Sequence, residues 1–241
     1  MGTSAARKAP VGRLWRNAKS FASRFAAGQE ASAPRVGEVV ARYIAALRES
    51  SGTQERGQGE PIMADVTRTA VHLSGFYRDW EQSGWETALA RQGVNLSARP
   101  TLPEIIPALL DRLAGAGARL GEAVARAALI EHFRGFFGAE GNSHQTGVTA
   151  GVRCPEPTAG IRSFLGLAIY RKIISDLGEP LEFQAATIQR GIERQEVIRS
   201  YILGHIQALG TESEKASPFS DEEAGELLEL ILTRLGSRHE C

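Results

Sequence analysis

The chain has 241 residues, 42% hydrophobic and 23% charged, which is an ordinary globular composition with length for one or two domains and a sizeable core. Its 28 Lys and Arg balance 28 Asp and Glu, so the net charge is zero and a whole-chain basic field for nucleic acid is excluded. Two isolated cysteines, Cys154 and Cys241, make neither a disulfide framework nor a metal quartet and point to a reducing compartment. No apolar stretch approaches the roughly 20 residues of a membrane span, and the start lacks the apolar run of a secretory signal. No integral membrane insertion and a cytoplasmic location are therefore expected.

Residues 1–10 are small and polar, end in Pro10, and read as a flexible N-terminal tail. Val11, Leu14, Trp15, Ala18, Phe21, Ala22 and Phe25 then recur at helical spacing, with Arg13, Arg16, Lys19 and Arg24 elsewhere around the wheel and Gly28 as a stop. This predicts a basic amphipathic first helix; no acid precedes Glu30. A second helix is predicted over about 34–48, on the face of Val36, Val39, Val40, Tyr43, Ile44 and Leu47. Residues 50–60, polar and glycine-rich, read as a linker. A third helix covers about 62–82 with Leu73, Phe76, Tyr77 and Trp80, and residues 84–100 are broken by glycine and proline. Thr101 followed by Glu104 has capping-box spacing ahead of Leu102–Leu113, with Pro107 a candidate kink. Further helices are expected over about 119–137, 158–177 and 181–209, with a long loop over 138–157. The 181–209 helix is expected to carry Phe183, Ile188, Ile192, Val197, Ile198, Tyr201, Ile202 and Ile206 as its apolar set. Ser220 and Glu223 form a second capping box before Leu227–Leu235. No segment alternates as a strand would. The fold class expected is all-α: an irregular multi-helix bundle, with the tail (1–10), an N-terminal helical arm and linker (11–60) and a main helical domain (61–241).

Catalytic and metal chemistry find little support. His132, His144 and Cys154, with Glu131 and Glu140 nearby, lack paired zinc spacing, and no H-E-x-x-H is present. There is no G-x-S-x-G elbow, and Cys154 sits among glycine and proline with no evident base. Gly115, Gly117 and Gly121 follow a helix, not a strand, so they mark a helix break or close packing and not a phosphate cradle. Glu193, Arg194 and Glu196 read as a solvated helix face. No catalytic residue, metal site or cofactor is expected. The basic first helix has three readings: it packs its Trp15–Phe21–Phe25 stripe on the chain itself, it docks on a partner, or it lies on an anionic membrane or nucleic-acid surface. At the start, removal of Met1 would expose the unhindered α-amine of Gly2, whose reference pKa of about 7.7–8 leaves a useful nucleophilic fraction near neutrality. Ala6 stands where myristoylation wants Ser or Thr.

Several segments in order resemble the QatB family of the bacterial Qat anti-phage defence system. They are Met1-Gly2-Thr3-Ser4, then Ala18-Lys19-Ser20-Phe21-Ala22-Ser23-Arg24-Phe25, then Ala41-Arg42-Tyr43-Ile44. Farther on come Ala168-Ile169-Tyr170-Arg171, Ile174-Ser175-Asp176-Leu177-Gly178 and Val197-Ile198-Arg199-Ser200-Tyr201-Ile202. The stretch between Ser4 and the first helix is shorter than the family leads one to expect. The resemblance implies a non-enzymatic accessory role beside an ATPase, a QueC-like enzyme and a TatD-like nuclease. QueC-like enzymes adenylate a deazaguanine carboxylate, which an amine then attacks. The resemblance thus implies Gly2 as a modification site, with Thr3, Ser4, Arg13, Trp15, Arg16, Lys19, Phe21, Arg24 and Phe25 as partner-binding residues. The alternative is an adaptor that adsorbs to an anionic membrane or nucleic-acid surface through its basic helix, although direct nucleic-acid binding is not expected from the neutral net charge.

Overall fold

A computed structural model describes residues 12–28, 34–54, 62–94, 102–138, 154–209 and 220–237. Among these it contains nine helices and no strand, so the fold is all-α. In chain order they are α1 (Arg13–Ala27), α2 (Val36–Gln54), α3 (Ile62–Ser83), α4 (Trp85–Arg91), α5 (Leu102–Ala114), α6 (Leu120–Gly138), α7 (Pro157–Phe183), α8 (Ile188–Gln207) and α9 (Asp221–Gly236). The tail, the Thr101 cap, His144 and Glu140 lie outside the described residues. Two compact units divide the chain. The first takes Met1–Gly59, Ile173–Tyr201 and Thr233–Cys241, and the second takes Glu60–Lys172 and Ile202–Leu232.

In the first unit, α1 buries Trp15, Ala18, Ala22, Phe25 and Ala26, a stripe at three- and four-residue steps, and packs on α2. Gly28 ends α1 in the left-handed conformation (φ 53°), its N–H donating to the Arg24 carbonyl at 3.2 Å, which is a local reason for glycine there. At the start of α2 the Glu38 carboxylate accepts from the Arg35 N–H, half of a capping box. Helix α2 runs to Gln54, past the predicted end near 48 and into the segment read as a linker. Tyr43 is fully buried at its centre, and its hydroxyl donates to Asp176 Oδ2 at 2.9 Å, fastening α2 to the last part of α7. Arg48 donates to the Thr233 hydroxyl on α9 at 2.8 Å.

Helix α7 continues through Gly178 and Pro180 to Phe183, so the predicted break at 177–181 is displaced to 184–187. Proline in a helix forfeits one backbone bond and crowds the preceding turn. Here Ile173, Leu177 and Leu181 are buried at four-residue spacing, and that burial outweighs the local defect. The Thr187 hydroxyl then accepts from the Arg190 N–H and caps α8.

The second unit is built around α3. Phe76, Tyr77 and Trp80 of α3 cluster with Trp85 of α4, the Trp80 and Trp85 ring centres 4.6 Å apart. Helix α4 was not expected from sequence. Gly84 (φ 81°) starts it, and it closes in a Schellman turn, with Val94 N–H donating to Leu89 and Gly93 N–H (φ 71°) to Ala90. Gly115 and Gly117, both at positive φ, turn the chain from α5 into α6 and form the helix break, whereas Gly121 is a buried residue inside α6. At α6 the Glu122 carboxylate receives the Ala118 and Arg119 N–H groups, and these bonds, Arg119 first, hold its pKa below the usual carboxylate value. Arg119 also reaches Asp65 of α3 at 2.8 Å. Glu156 caps α7 through the Thr158 and Ala159 N–H groups, with Pro157 at the first helical position. The Ser220–Glu223 box ahead of α9 is formed in both directions, at 3.1 and 3.0 Å.

Inside this unit the Tyr77 hydroxyl makes a short hydrogen bond to His132 Nε2. Both are buried, and desolvation drives His132 down to about 3 while it raises Tyr77 well above its ordinary value. The imidazole is therefore neutral at physiological pH and Tyr77 is the donor. An unfolded chain protonates His132 near 6.5, whereas the folded chain resists until about 3, so stability present above pH 6.5 is lost as pH falls toward 3. The slope is at most about 1.4 kcal/mol per pH unit. Urea unfolding across this window should show a shallower acid dependence, by about that slope, in the double variant Tyr77→Phe/His132→Leu, which removes donor and acceptor together. An acid dependence identical to that of the parent would rule the pair out as its source.

Candidate functional site

The residues singled out for partner binding fall into two groups. Gly2, Thr3 and Ser4 lie outside the described residues. The rest are on α1, where the helix period separates them. Trp15 and Phe25 turn inward, 3% and 4% exposed, and pack within the unit. The physical reason is that α1 covers its own apolar stripe. Trp15 sets its edge against the Tyr43 ring (centroids 5.6 Å, 81°), and its indole N–H donates to the Ser50 hydroxyl at 2.6 Å. Phe25 lies under the Arg194 guanidinium of α8 at 4.9 Å. Phe21 is half-buried, with Arg42 and Arg24 at 5.0 and 5.7 Å from its ring centre. Arg13, Arg16 and Arg24 are exposed and Lys19 is half-buried, so α1 shows solvent a cationic face.

Solvent-facing apolar side chains gather elsewhere. Phe183 at the end of α7 is 78% exposed, and Ile188 and Ile192 on α8 are 87% and 56% exposed. Ile188 and Ile192 are one helical turn apart and share a face, while Val197, 42% exposed, projects from the opposite flank. The α8 residues that are buried in this unit are Gly191 and Ile198. Sequence periodicity grouped these residues as one apolar set and left open whether its cover belongs to the chain or to a partner. Two isoleucines and a phenylalanine this open are the feature that sequence reasoning missed, because an apolar position looks the same whether its cover belongs to the chain or to a partner.

The residues weighed for chemistry in the second unit are tied up. Cys154 lies 3.6 Å from the Tyr77 carbonyl oxygen, and desolvation, then the charge of Glu81, pushes its thiol up to about 11. It is a thiol and not a thiolate at neutral pH. Glu131 pairs with Arg171 at 2.5 Å. Among the described residues no three His, Cys, Asp or Glu side chains gather as metal ligands. None of the described helices is long and apolar enough to cross a membrane.

Because α1 uses Trp15 as core, Trp15→Ala should cost about 3–5 kcal/mol. Arg13→Ala and Arg16→Ala, on the solvent face, should each stay within about 0.5 kcal/mol of the parent. Chemical denaturation of the three variants distinguishes this arrangement from an undocked helix, for which Trp15→Ala would be as mild as the arginine variants.

No curated protein and no solved structure matches the chain. The profile of the family described as Qat anti-phage system associated protein QatB matches residues 61–234, which contain α3 to α8 and most of α9. That match covers well over half of the chain; the chain belongs to the QatB family, components of an anti-phage defence system.

Proposed function

We propose that this chain is a non-enzymatic component of the Qat system that acts through partner proteins, and that its Gly2 amine is the acceptor of a deazapurine transferred by the system's QueC-like enzyme. Family membership carries the defence role. The apolar surface at Phe183, Ile188 and Ile192 supports docking, since side chains of this size are stabilised by leaving water. The system's ATPase and TatD-like nuclease are further candidate partners.

In the proposed step the partner enzyme joins a deazaguanine carboxylate to AMP, releasing pyrophosphate. The Gly2 amine attacks the activated carbonyl, an amide C–N bond forms, AMP leaves with the C–O bond pair, and the amine gives up a proton. Catalysis resides in the partner, and this chain supplies the nucleophile. Glycine suits the task because a Cβ would crowd the amine as it enters a nucleotide-sized pocket. A second reading is favoured by one observation, the exposed cations Arg13, Arg16 and Arg24 on α1: adsorption to an anionic membrane or nucleic-acid surface. The two readings separate on salt, because adsorption weakens steeply with ionic strength and apolar docking does not.

Intact mass and N-terminal sequencing of the chain, purified after co-expression with the other three components, test the modification. A chain starting at Gly2 and carrying a deazapurine-sized addition on its amine is expected, and Gly2→Pro should abolish the addition. A bare amine in the presence of demonstrably active QueC-like enzyme refutes the substrate role. Docking is tested separately: Ile188→Asp/Ile192→Asp should leave the thermal midpoint near that of the parent and lower co-purification of the partner at least about tenfold, the loss of about 1.4 kcal/mol or more of apolar contact.

A further inference from the structure

In the second unit α3 touches both α4 and α5. His72 marks one junction, its Nδ1 standing 3.0 Å from the Leu113 carbonyl oxygen. A carbonyl only accepts, so Nδ1 carries the hydrogen and Nε2 is the nitrogen that remains for another partner. Beside this junction opens a cleft of about 390 Å³, lined by His72, Gly75, Arg78, Asp79, Gln92 and Arg112. Its volume is within the range of small-molecule sites, roughly 300–1,000 Å³.

The lining is unbalanced in charge. Asp79 is the sole carboxylate among the lining residues, and Arg91 already holds it at 2.7 Å. Arg78 and Arg112 are both exposed, and neither has a carboxylate partner among the described residues. The Schellman turn that ends α4 delivers Gln92 to the rim, and the positive φ of Gly93 permits that turn. At the α3 wall, a Cβ added to Gly75 would meet nothing within 4 Å, so the glycine leaves the cleft open where any other residue would begin to fill it.

We propose that this cleft binds a phosphate-bearing ligand, with the Arg78 and Arg112 guanidinium groups on the phosphate oxygens and the Gln92 side-chain amide as a further donor. Two cations exceed the single charge of a carboxylate; a phosphoryl group, with up to two charges and three terminal oxygens, matches the two guanidinium groups and the amide donor. Such a group arrives on a free nucleotide or in a polynucleotide strand, and the chemistry of capture is the same for both.

Calorimetric titration of the full chain with pyrophosphate, ATP and a short single-stranded oligodeoxynucleotide tests the site. Saturable binding of at least one is expected, and Arg78→Gln and Arg112→Gln should each weaken it about tenfold, the loss of one charge-assisted contact. Gly75→Leu blocks the cleft without altering charge and replaces a helix-interior glycine with a better helix former, so it should abolish binding with the thermal midpoint kept or raised. Arg190→Gln on α8 should change nothing. Preference for ATP and pyrophosphate identifies a nucleotide site, and preference for the oligonucleotide identifies a strand-binding site. Absence of saturable binding by all three, or binding that survives both Gly75→Leu and the arginine variants, overturns the proposal.

Discussion

A buried tyrosine hydroxyl must find a partner, and in the first unit the Tyr43 hydroxyl finds one far along the chain. It donates to Asp176 at 2.9 Å from a residue that is itself fully buried. Leaving either group unpaired inside would cost about 1–3 kcal/mol, so the bond also acts as a registration device. It fixes which turn of α7 faces α2, and it does so beside the ring on which Trp15 rests its edge. Helix α1, helix α2 and the end of α7 are thus held at one aromatic side chain. Leu181, buried on the run of α7 through Gly178 and Pro180, would leave this packing if the helix stopped at Leu177.

The second unit solves the same problem with less sequence separation. Tyr77 and His132 satisfy each other between α3 and α6, at the cost of an imidazole that stays neutral far below its usual range. Gly160 of α7 approaches the same tyrosine so closely that an added Cβ would sit 2.7 Å from its ring. Each unit therefore organises helices around a tyrosine whose hydroxyl is spoken for. The chemistry-bearing residues that stand out in the sequence, His132 and Cys154, are absorbed into that arrangement, and neither is left ionisable at neutral pH.

Much of this was legible in the residues, and the exceptions have physical causes. Helix period and end signals located α1 with its Gly28 stop, α3, α6 and the Ser220–Glu223 start of α9, because those signals are local hydrogen bonds that close within one turn. Helix α4 was missed since seven residues between two positive-φ glycines leave too short a window for periodicity to register. Pro180 misled because local propensity weighs against a helix that distant packing sustains. The cleft beside His72 left little trace, since its lining comes from α3, the end of α4 and α5, segments whose contact no local pattern encodes.

Which apolar surface meets the outside is a question that helical period leaves open. The stripe of α1, with its basic surround, packs on Tyr43 and its neighbours, the first of the three arrangements its pattern allowed. Within the apolar set of α8, Ile198 is buried while Ile188 and Ile192 are open. Periodicity reports that a face needs covering and is silent about the cover. In a chain whose family works alongside other proteins, the two cases exchange easily. A helix lying against its own unit can retain basic residues on its outer side at little cost, since solvated charge is nearly neutral for stability. A helix with exposed isoleucines has no such neutrality: each is held in water against about 1.5–3 kcal/mol of unrealised burial. Under the docking proposed above a partner removes that imbalance, which favours α8 over the cationic helix as the contact surface.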